Sequence, residues 1–121
     1  MSVFSEISSN EYVFDSEHFF AIYDRFPVSP GHLLLISKKI KENYFELNEE
    51  ERKDLNDLIL KAKNTIESKY SPDGFNIGMN CGETAGQTVM HFHCHVIPRY
   101  KGDMRDPRGG VRHCVYGKGY Y

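Results

Sequence analysis

Hydrophobic residues recur at helical spacing in one long part of the chain, residues 48–70. The predicted apolar stripe lies on one helical face and consists of Leu55, Leu58, Ile59, Ala62 and Ile66. Asn48 suits the N-cap position, and Glu51 follows three residues later, as in a capping box. Pro72 and Gly74 are expected to end the helix.

Shorter runs of aromatic and β-branched residues predict the strands of a sheet. The predicted strands are residues 12–14, 19–24, 32–37, 75–80 and 88–99. Two prolines and a glycine interrupt the pattern in residues 26–31, which are expected to form a loop. Because several strands accompany one long helix, we expect an α+β fold with an antiparallel β-sheet.

Length, charge and cysteine content narrow the class of protein. The 121 residues suit one domain over 1–121, with a core of about 4–99 and an irregular tail of about 101–121. A formal net charge of −2 argues against nucleic-acid and membrane-surface partners, which need a basic excess. The chain shows no secretory signal and no apolar run near the ~20 residues of a membrane helix. Three cysteines without a CxxC motif fit a reducing compartment, so we expect a cytoplasmic protein.

Three histidines alternate in the last predicted strand, at His91, His93 and His95. Side chains on a strand point alternately to its two faces, so these imidazoles are expected to share one face. The intervening residues are apolar and suit a core: Phe92, Cys94 and Val96. A single strand histidine is usually an ordinary surface or core residue, whereas three in strict alternation are rare by chance.

Three functions fit such a row of imidazoles. Histidines on one strand face can bind zinc. Imidazole is also a nucleophile toward phosphorus and an acid or base near neutral pH. The third possibility is a nucleotide-binding module without chemistry. The preceding loop favours phosphate chemistry, because Gly82 and Gly86 flank backbone N–H groups that can form an anion-binding nest, and Gln87 and Thr88 add neutral donors.

The segment from Gly86 to Arg99 resembles the signature of the histidine-triad (HIT) superfamily. That signature is His-φ-His-φ-His-φ-φ, where φ is apolar, and residues 91–97 satisfy it at every position. Two weaker similarities lie in the right order: Pro30-Gly31-His32 before an apolar strand, and Asp24 eight residues before His32. The resemblance extends over about residues 4–99 and implies the HIT-like fold.

The resemblance implies a role for each matching residue. His93 matches the nucleophile, which attacks the α-phosphorus and forms a nucleotidyl-histidine intermediate. His95 matches the histidine that contacts the phosphate and helps the leaving group to depart. His91 and His32 match histidines that hold the nucleophile through hydrogen bonds, and Asp24 matches the acidic residue that holds the ribose hydroxyls.

Further matches concern the binding of substrate. Asn80, Gln87 and Thr88 match positions that line the phosphate site. The nucleobase slot is expected to form from apolar residues, namely Phe20, Ile22 and Phe26. Some members of the superfamily hold a structural zinc with N-terminal cysteines, which this sequence lacks. We therefore expect no metal site and no cofactor, apart from magnesium carried by the substrate phosphates.

The resemblance implies hydrolysis of a nucleotidyl bond. Residues 83–89 are closer to the fragile-histidine-triad branch, which cleaves dinucleoside polyphosphates, than to the phosphoramidase branch, and residues 106–112 resemble the tails of bacterial HIT hydrolases. A diadenosine polyphosphate is therefore the expected substrate, with a purine nucleoside phosphoramidase and a non-catalytic nucleotide-binding module as alternatives. Members of both branches pair through the long helix and an adjacent strand, so we expect a homodimer, which would also cover an open sheet edge.

The tail is expected to contact the leaving group. Guanidinium groups suit phosphate oxygens, and three are spaced along the tail: Arg105, Arg108 and Arg112. Tyrosine rings near the end of the chain would stack on a distal base, the candidates being Tyr116, Tyr120 and Tyr121. The alternative is a disordered basic end.

Overall fold

Five strands form one antiparallel sheet in the computed structural model, which describes residues 2–121. They are β1 (Phe14–Asp15), β2 (Phe19–Tyr23), β3 (Leu33–Ser37), β4 (Gly74–Gly78) and β5 (His93–Arg99). Their spatial order is β1-β2-β3-β5-β4, and every neighbouring pair is antiparallel. One α-helix, α1 (Glu49–Glu67), connects β3 to β4 in these residues. The expected α+β fold is confirmed.

Five short 3₁₀ turns complete the structure of residues 2–121. They are Val3–Glu6, Ser9–Glu11, Tyr44–Glu46, Glu83–Ala85 and Gly110–Cys114. The first two belong to the N-terminal segment, and the last belongs to the tail. No helix in this part of the chain is long and apolar enough to cross a membrane.

Helix α1 begins with the predicted capping box. The side chain of Asn48 accepts the N–H of Glu51, and the side chain of Glu51 accepts the N–H of Asn48, both at 2.8 Å. The helix ends at Glu67, three residues before the expected end, because the chain tightens there: the N–H of Lys69 donates to the carbonyl of Ile66. The predicted stripe packs on the sheet, with four members buried and Ile59 partly buried.

The central strands are buried on both faces, because their residues alternate between two apolar clusters. The helix face of the sheet contributes residues such as Phe19, Leu35 and Val96 to the core beneath α1. The opposite face, here called the histidine face, carries Phe20, Ile22, Leu34 and Ile36. The N-terminal segment packs on this second cluster through Phe4, Ile7 and Tyr12.

Strand β5 begins at His93, five residues later than expected. The side-chain amide of Gln87 donates to the carbonyls of Glu42 and Val89, and the N–H of Phe92 donates to the carbonyl of Lys41. Residues 88–92 are thus held by side-chain and loop contacts instead of a strand ladder. The other strands differ by one or two residues at their ends, apart from 12–14, of which only Phe14 lies in β1.

Candidate active site

The His93 imidazole is held with one nitrogen free. Its Nδ1 lies 2.8 Å from the backbone carbonyl of His91. A carbonyl can only accept, so Nδ1 carries the proton in the neutral ring and Nε2 carries a lone pair. The side chain is partly exposed at the edge of a cleft. His93 therefore presents a nucleophilic nitrogen to any molecule bound there.

The His95 imidazole is held in the opposite tautomer. The N–H of Val28 donates to Nδ1 of His32 at 3.1 Å, so the proton of a neutral His32 ring is on Nε2. That Nε2 lies 2.9 Å from Nδ1 of His95. His95 accepts this bond and keeps its own proton on Nε2. Two neighbouring rings, whose centroids are 5.4 Å apart, thus offer a lone pair and an N–H.

Asp24 lies beside this pair of histidines. One carboxylate oxygen, Oδ2, is 3.4 Å from Nε2 of His32 and 4.0 Å from Nδ1 of His95. The other oxygen accepts the N–H of Phe26 at 2.9 Å. Asp24 therefore contacts the hydrogen-bonded histidines and also lines the cleft in front of them.

Burial keeps most of these imidazoles neutral. The pKa of His95 is lowered to about 4, mainly by desolvation and also by the neighbouring His32 and His93, against the opposing effect of Asp24. Burial also lowers the pKa of His32, which Asp24 opposes, and the pKa of His91, which the Ser37 carbonyl opposes. The neutral tautomers inferred from the hydrogen bonds agree with these directions.

The first cleft has a volume of about 380 Å³ and lies on the histidine face. Its ionisable lining residues include Asp24, His93 and His95, and Thr88 also lines it. Its apolar wall comes from Val3, Phe4, Ile7, Ile22, Phe26 and Leu34. Ile22 and Phe26 thus lie where a nucleobase slot is expected, whereas Phe20 stacks on Tyr12 at 4.4 Å instead.

The second cleft, of about 880 Å³, lies on the other side of His95. Its floor is the same sheet face, since Gly78 pairs with His95 and Asn76 pairs with Ile97. Its walls come from the loop after β4 and from the tail, and include Asn80, Thr84, Gly86, Val111, Cys114 and Val115. His95 is therefore the side chain that separates two clefts.

Comparison with known proteins decides the family. The family model described as the HIT domain matches residues 5–102, which is most of the chain. The chain belongs to the HIT family. The Bacillus subtilis (strain 168) protein named "Protein hit" is 41% identical over 92 residues, which cover 75% of this chain and 63% of that protein. The chain thus spans less than two thirds of the length of this relative.

Two further HIT relatives are informative. A Dictyostelium discoideum protein named bis(5'-adenosyl)-triphosphatase is 36% identical over 100 residues, covering 83% of this chain and 67% of that protein. The crystal structure of a HIT-family member from Bacillus subtilis superposes with a TM-score of 0.76 at 31% identity, covering 99% of this chain and 78% of that one. The predicted resemblance and fold are confirmed.

The two histidines expected to hold the nucleophile, His91 and His32, make no side-chain hydrogen bond to His93. His91 contacts His93 through its backbone carbonyl, while its ring Nε2 donates to the carbonyl of Ser37 at 2.7 Å. His32 contacts His95 and not the candidate nucleophile. Among the described residues, Nδ1 of His91 has no hydrogen-bond partner. The phenyl ring of Phe4 packs edge-on against both His91 and His93, at 5.6 and 5.0 Å.

The loop after β4 is less open to anions than expected. The side-chain oxygen of Gln87 accepts the N–H of Gly82 at 2.8 Å, and the N–H groups of Ala85, Gly86 and Gln87 donate to carbonyls of the same loop. Gln87 is itself buried, so its side chain organises the loop and lines neither cleft. The predicted nest and the predicted phosphate contact of Gln87 are corrected accordingly. Asn80 lies in the second cleft instead.

The tail reaches the second cleft, but not through its predicted residues. Arg108 pairs with Asp106 at 2.9 Å, and the Arg112 guanidinium lies over the ring of Tyr121 at 4.5 Å. Neither cleft is lined by the predicted residues Arg105, Arg108, Arg112, Tyr116, Tyr120 and Tyr121. Within residues 2–121, the tail instead presents Gly110, Val111, Cys114 and Val115 to the cleft, which corrects the expected arginine–phosphate contacts.

No pattern in the sequence indicated that the N-terminal segment forms a wall of the first cleft. Val3, Phe4 and Ile7 lie there because Ser2 and Ser8 cap two 3₁₀ turns that fold the segment onto the histidine face. Leu34 was detectable in principle. It pairs with Ile22 in neighbouring strands and so had to share its face.

One group of residues in 2–121 has ligand atoms close enough to hold a metal ion, namely Asp24, His32 and His95. The hydrogen bond from Val28 conflicts with such a site. It requires a lone pair on Nδ1 of His32, and the only proton of a neutral ring then occupies Nε2, the atom that faces the cluster. Metal binding would therefore need this hydrogen bond to break.

The Cys94 thiol lies between the two reactive histidines in sequence but points to the helix face. It is fully buried in the core beneath α1. Burial raises its pKa to about 12, which keeps it protonated. Cys94 therefore packs the back of β5 and does not reach the clefts on the histidine face.

Proposed function

We propose that this HIT protein hydrolyses a dinucleoside polyphosphate, with a diadenosine polyphosphate as the expected substrate, at its α-phosphorus. The observation that carries the proposal is the pair of opposite tautomers, a lone pair on Nε2 of His93 and an N–H on Nε2 of His95. Nucleophilic displacement at phosphorus can use both groups, one to attack and one to donate a hydrogen bond to the departing oxygen. The Dictyostelium relative is named for this kind of hydrolysis.

In the first step, Nε2 of His93 forms a bond to the α-phosphorus, and the phosphorus–oxygen bond to the leaving nucleotide breaks. The leaving oxygen departs as a phosphate oxyanion and accepts a hydrogen bond from the Nε2–H of His95, which keeps its proton. The ring of His93 becomes positively charged, and its Nδ1–H bond to the His91 carbonyl stabilises that charge. His95 stays neutral and keeps its hydrogen bond from His32, which lies against Asp24.

In the second step, water attacks the α-phosphorus of the nucleotidyl-histidine. The phosphorus–nitrogen bond returns its electron pair to His93, the proton that the water loses passes to bulk solvent, and the Nε2–H of His95 donates a hydrogen bond to a phosphate oxygen. The products are a nucleoside monophosphate and the remaining nucleotide. Asp24 is proposed to hold the ribose hydroxyls, Thr88 and Asn80 to donate to phosphate oxygens, and the first cleft to bind the nucleobase, a purine by expectation.

Neither step requires a protein-bound metal, and we propose that there is none. The hydrogen bond from Val28 to His32 supports this proposal, because it leaves the proton of the neutral His32 ring on Nε2, the atom that faces Asp24 and His95. Magnesium is proposed to bind only the substrate phosphates. After prolonged chelation, the protein is assayed with and without added magnesium. We expect magnesium alone to restore full activity. Activity that returns only with zinc would contradict this part of the proposal.

A purine nucleoside phosphoramidase is the second candidate. One observation favours it: no lysine or arginine of residues 2–121 lines the second cleft, so an uncharged amine would fit there as a leaving group. The intact histidine row counts against a binding module without chemistry. The predicted cytoplasmic location and absence of a nucleic-acid partner stay predictions.

The deciding experiment compares turnover of diadenosine tetraphosphate with turnover of adenosine 5'-phosphoramidate, in isotopically labelled water. We expect turnover of the dinucleotide to adenosine monophosphate and ATP, with the label in the monophosphate. Label in ATP would place the attack at another phosphorus. Turnover of the phosphoramidate alone would favour the second candidate, and turnover of neither would contradict the enzymatic proposal.

We also propose a homodimer that pairs through β4 and α1. Strand β4 is an edge of the sheet, and Ile77 on this strand and Leu60 on the helix are exposed apolar residues. Pairing two copies there would give the unpaired backbone N–H and C=O groups of the edge strand hydrogen-bond partners, and it would cover these two side chains. Sedimentation should report twice 14.0 kDa, and Ile77→Lys should shift the mass toward the monomer, while the control Val28→Lys should not. A monomeric wild type would contradict this.

A further inference from the structure

We propose that Ser29 and Tyr100 are positioning residues that select the tautomer of His95. They act through residues 28–31, here called the His32 turn, which lies directly before His32. The catalytic consequence rests on the proposed function, in which the Nε2–H of His95 donates to the leaving oxygen. Neither Ser29 nor Tyr100 lines either cleft, so an effect on turnover has to pass through the histidines.

Two prolines limit how the backbone can hold the His32 turn. Leu33 pairs with Val96 in the antiparallel sheet, so the turn runs alongside the residues that follow Val96, as far as Tyr100. Pro30 and Pro98 lie in these two segments and have no backbone N–H. Neither proline can therefore donate a ladder hydrogen bond between the segments. The carbonyl of each proline accepts a side-chain hydroxyl instead.

These two hydroxyl bonds are reciprocal and are here called the hydroxyl clamp. Ser29 in the turn donates to the carbonyl of Pro98, and Tyr100 after β5 donates to the carbonyl of Pro30 at 2.7 Å. Ser29 is buried, which shields its hydrogen bond from water. Burial also raises the pKa of Tyr100, so its hydroxyl keeps the proton that it donates. The clamp therefore ties the His32 turn to the strand that carries the reactive histidines.

Close packing and a backbone bond also hold the His32 turn. Gly31 has a φ of +92°, and a Cβ added there would lie 2.9 Å from the ring of Tyr70, so only glycine fits. The N–H of His32 donates to the carbonyl of Ser29 at 3.2 Å and closes the turn. The resulting conformation aims the N–H of Val28 at Nδ1 of His32. The clamp thus helps to fix the direction of this one N–H group.

The N–H of Val28 decides between two proton arrangements of the histidine pair. With this N–H in place, His32 donates from Nε2 to Nδ1 of His95, and His95 keeps its own proton on Nε2. Without it, the proton of His32 can lie on Nδ1, and His95 then donates from Nδ1 to Nε2 of His32. Both arrangements hold the same number of protons, but Nε2 of His95 is bare in the second. Only the first arrangement offers the leaving oxygen a hydrogen-bond donor.

Tyr100→Phe removes one hydroxyl of the clamp and keeps the ring. We expect kcat for diadenosine tetraphosphate to fall by about ten-fold, part of the loss typical when a donor to the reacting oxygens is removed, while KM stays within about two-fold. Ser29→Ala should act in the same direction.

Two controls remove hydroxyls away from the clamp. Tyr23→Phe removes a buried hydroxyl that has no hydrogen-bond partner among the described residues. Ser68→Ala removes a hydroxyl that donates to the carbonyl of Thr65 at the end of α1. Both should keep full activity. An unchanged kcat in Tyr100→Phe, a rise in KM alone, or equal losses in the controls would contradict the catalytic consequence.

Proton–nitrogen NMR spectra of the histidine rings separate this inference from the proposed function, because they need no substrate. In the wild type at neutral pH, we expect the proton of His95 on Nε2 and the proton of His93 on Nδ1. Tyr100→Phe should convert a measurable fraction of His95 to the Nδ1–H form and leave His93 unchanged, because the carbonyl of His91 holds that ring. This result supports the inference even if no substrate is turned over. An unchanged His95 tautomer, or an equal change in both rings, would overturn it even if hydrolysis is observed.

Discussion

The helix face of the sheet is sealed by α1, whereas the histidine face is covered only by 3₁₀ turns, loops and the tail. Strand β5 contributes to both: Cys94 and Val96 are fully buried against the helix, while the alternate residues His93 and His95 remain partly open. The sealed face provides packing energy, and the open face provides two clefts. Because one strand serves both, the reactive imidazoles stand on a backbone that the core holds rigidly in place.

The largest expected effect comes from the removal of His93, the proposed nucleophile on the open face. His93→Ala should lower turnover by several orders of magnitude, about 10⁴-fold or more, because His93 is the imidazole of the first cleft with a lone pair free to attack. Its melting temperature should stay close to that of the wild type, since His93 is not part of the sealed core. The control His18→Ala should keep full activity. Turnover that survives His93→Ala would refute the covalent mechanism, and mass spectrometry of quenched reactions should find the adduct on His93.

A substitution in the sealed face should instead lower stability and leave turnover unchanged. Ile66→Ala empties a fully buried position beneath the sheet and should cost about 2–5 kcal/mol of unfolding free energy. The protein that remains folded should keep its turnover number. Asn64→Ala, on the exposed side of the same helix, should change stability by no more than about 0.5 kcal/mol. A large loss of turnover by folded Ile66→Ala would show that the two faces are not separable.

Asp24 sharpens the comparison, because it touches both the cleft and the histidine pair. Asp24→Asn should lower kcat by about a hundred-fold, since the carboxylate lies against the hydrogen-bonded pair His32 and His95 and helps to hold the N–H of His95 toward the leaving oxygen. A dideoxyribose version of the substrate should suffer the same loss in kcat. A rise in KM restricted to the ribose substrate, with kcat unchanged, would limit Asp24 to holding the ribose hydroxyls.

The smallest effect concerns pH. The pKa of His95 falls from 6.5 in the unfolded chain to about 4 in the fold, so between these values the unfolded state binds more protons. The free energy of unfolding should therefore decrease as pH falls from 7 toward 4. His95→Gln should flatten part of this decrease, as measured by denaturant unfolding at pH 7 and at pH 5. The same pH dependence of the unfolding free energy in both proteins would contradict the lowered pKa of His95.

Local patterns were sufficient to predict the fold. The helical stripe with its capping box and the alternation around His93 are properties of neighbouring residues, and both are confirmed. Strand ends were less predictable, because the start of β5 depends on the contacts of Gln87 with Glu42 and Val89. Those contacts join segments far apart in the chain, and no local pattern announces them.

The histidines and Asp24 of the site could be predicted from the sequence, whereas the residues that wall the two clefts could not. The row of histidines and Asp24 lies together as the family resemblance implies. The wall formed by Val3 and Phe4 depends on how the N-terminal segment folds back, and the second cleft depends on where the tail lands. Composition suggested that tail arginines face the substrate, yet Arg108 is satisfied by the nearby Asp106. A local ion pair thus removed the predicted contact.

The burial of Cys94 also decides how the protein can be labelled. Alkylating reagents attack thiolates, and a thiol with a pKa of about 12 offers almost none at neutral pH. Cys114 is exposed on the tail, and Cys81 is partly exposed. After Cys81→Ser, a maleimide dye would attach at Cys114, at the mouth of the second cleft, while the thiol behind the histidines stays silent. The chain thus carries a natural attachment point for following the tail by fluorescence.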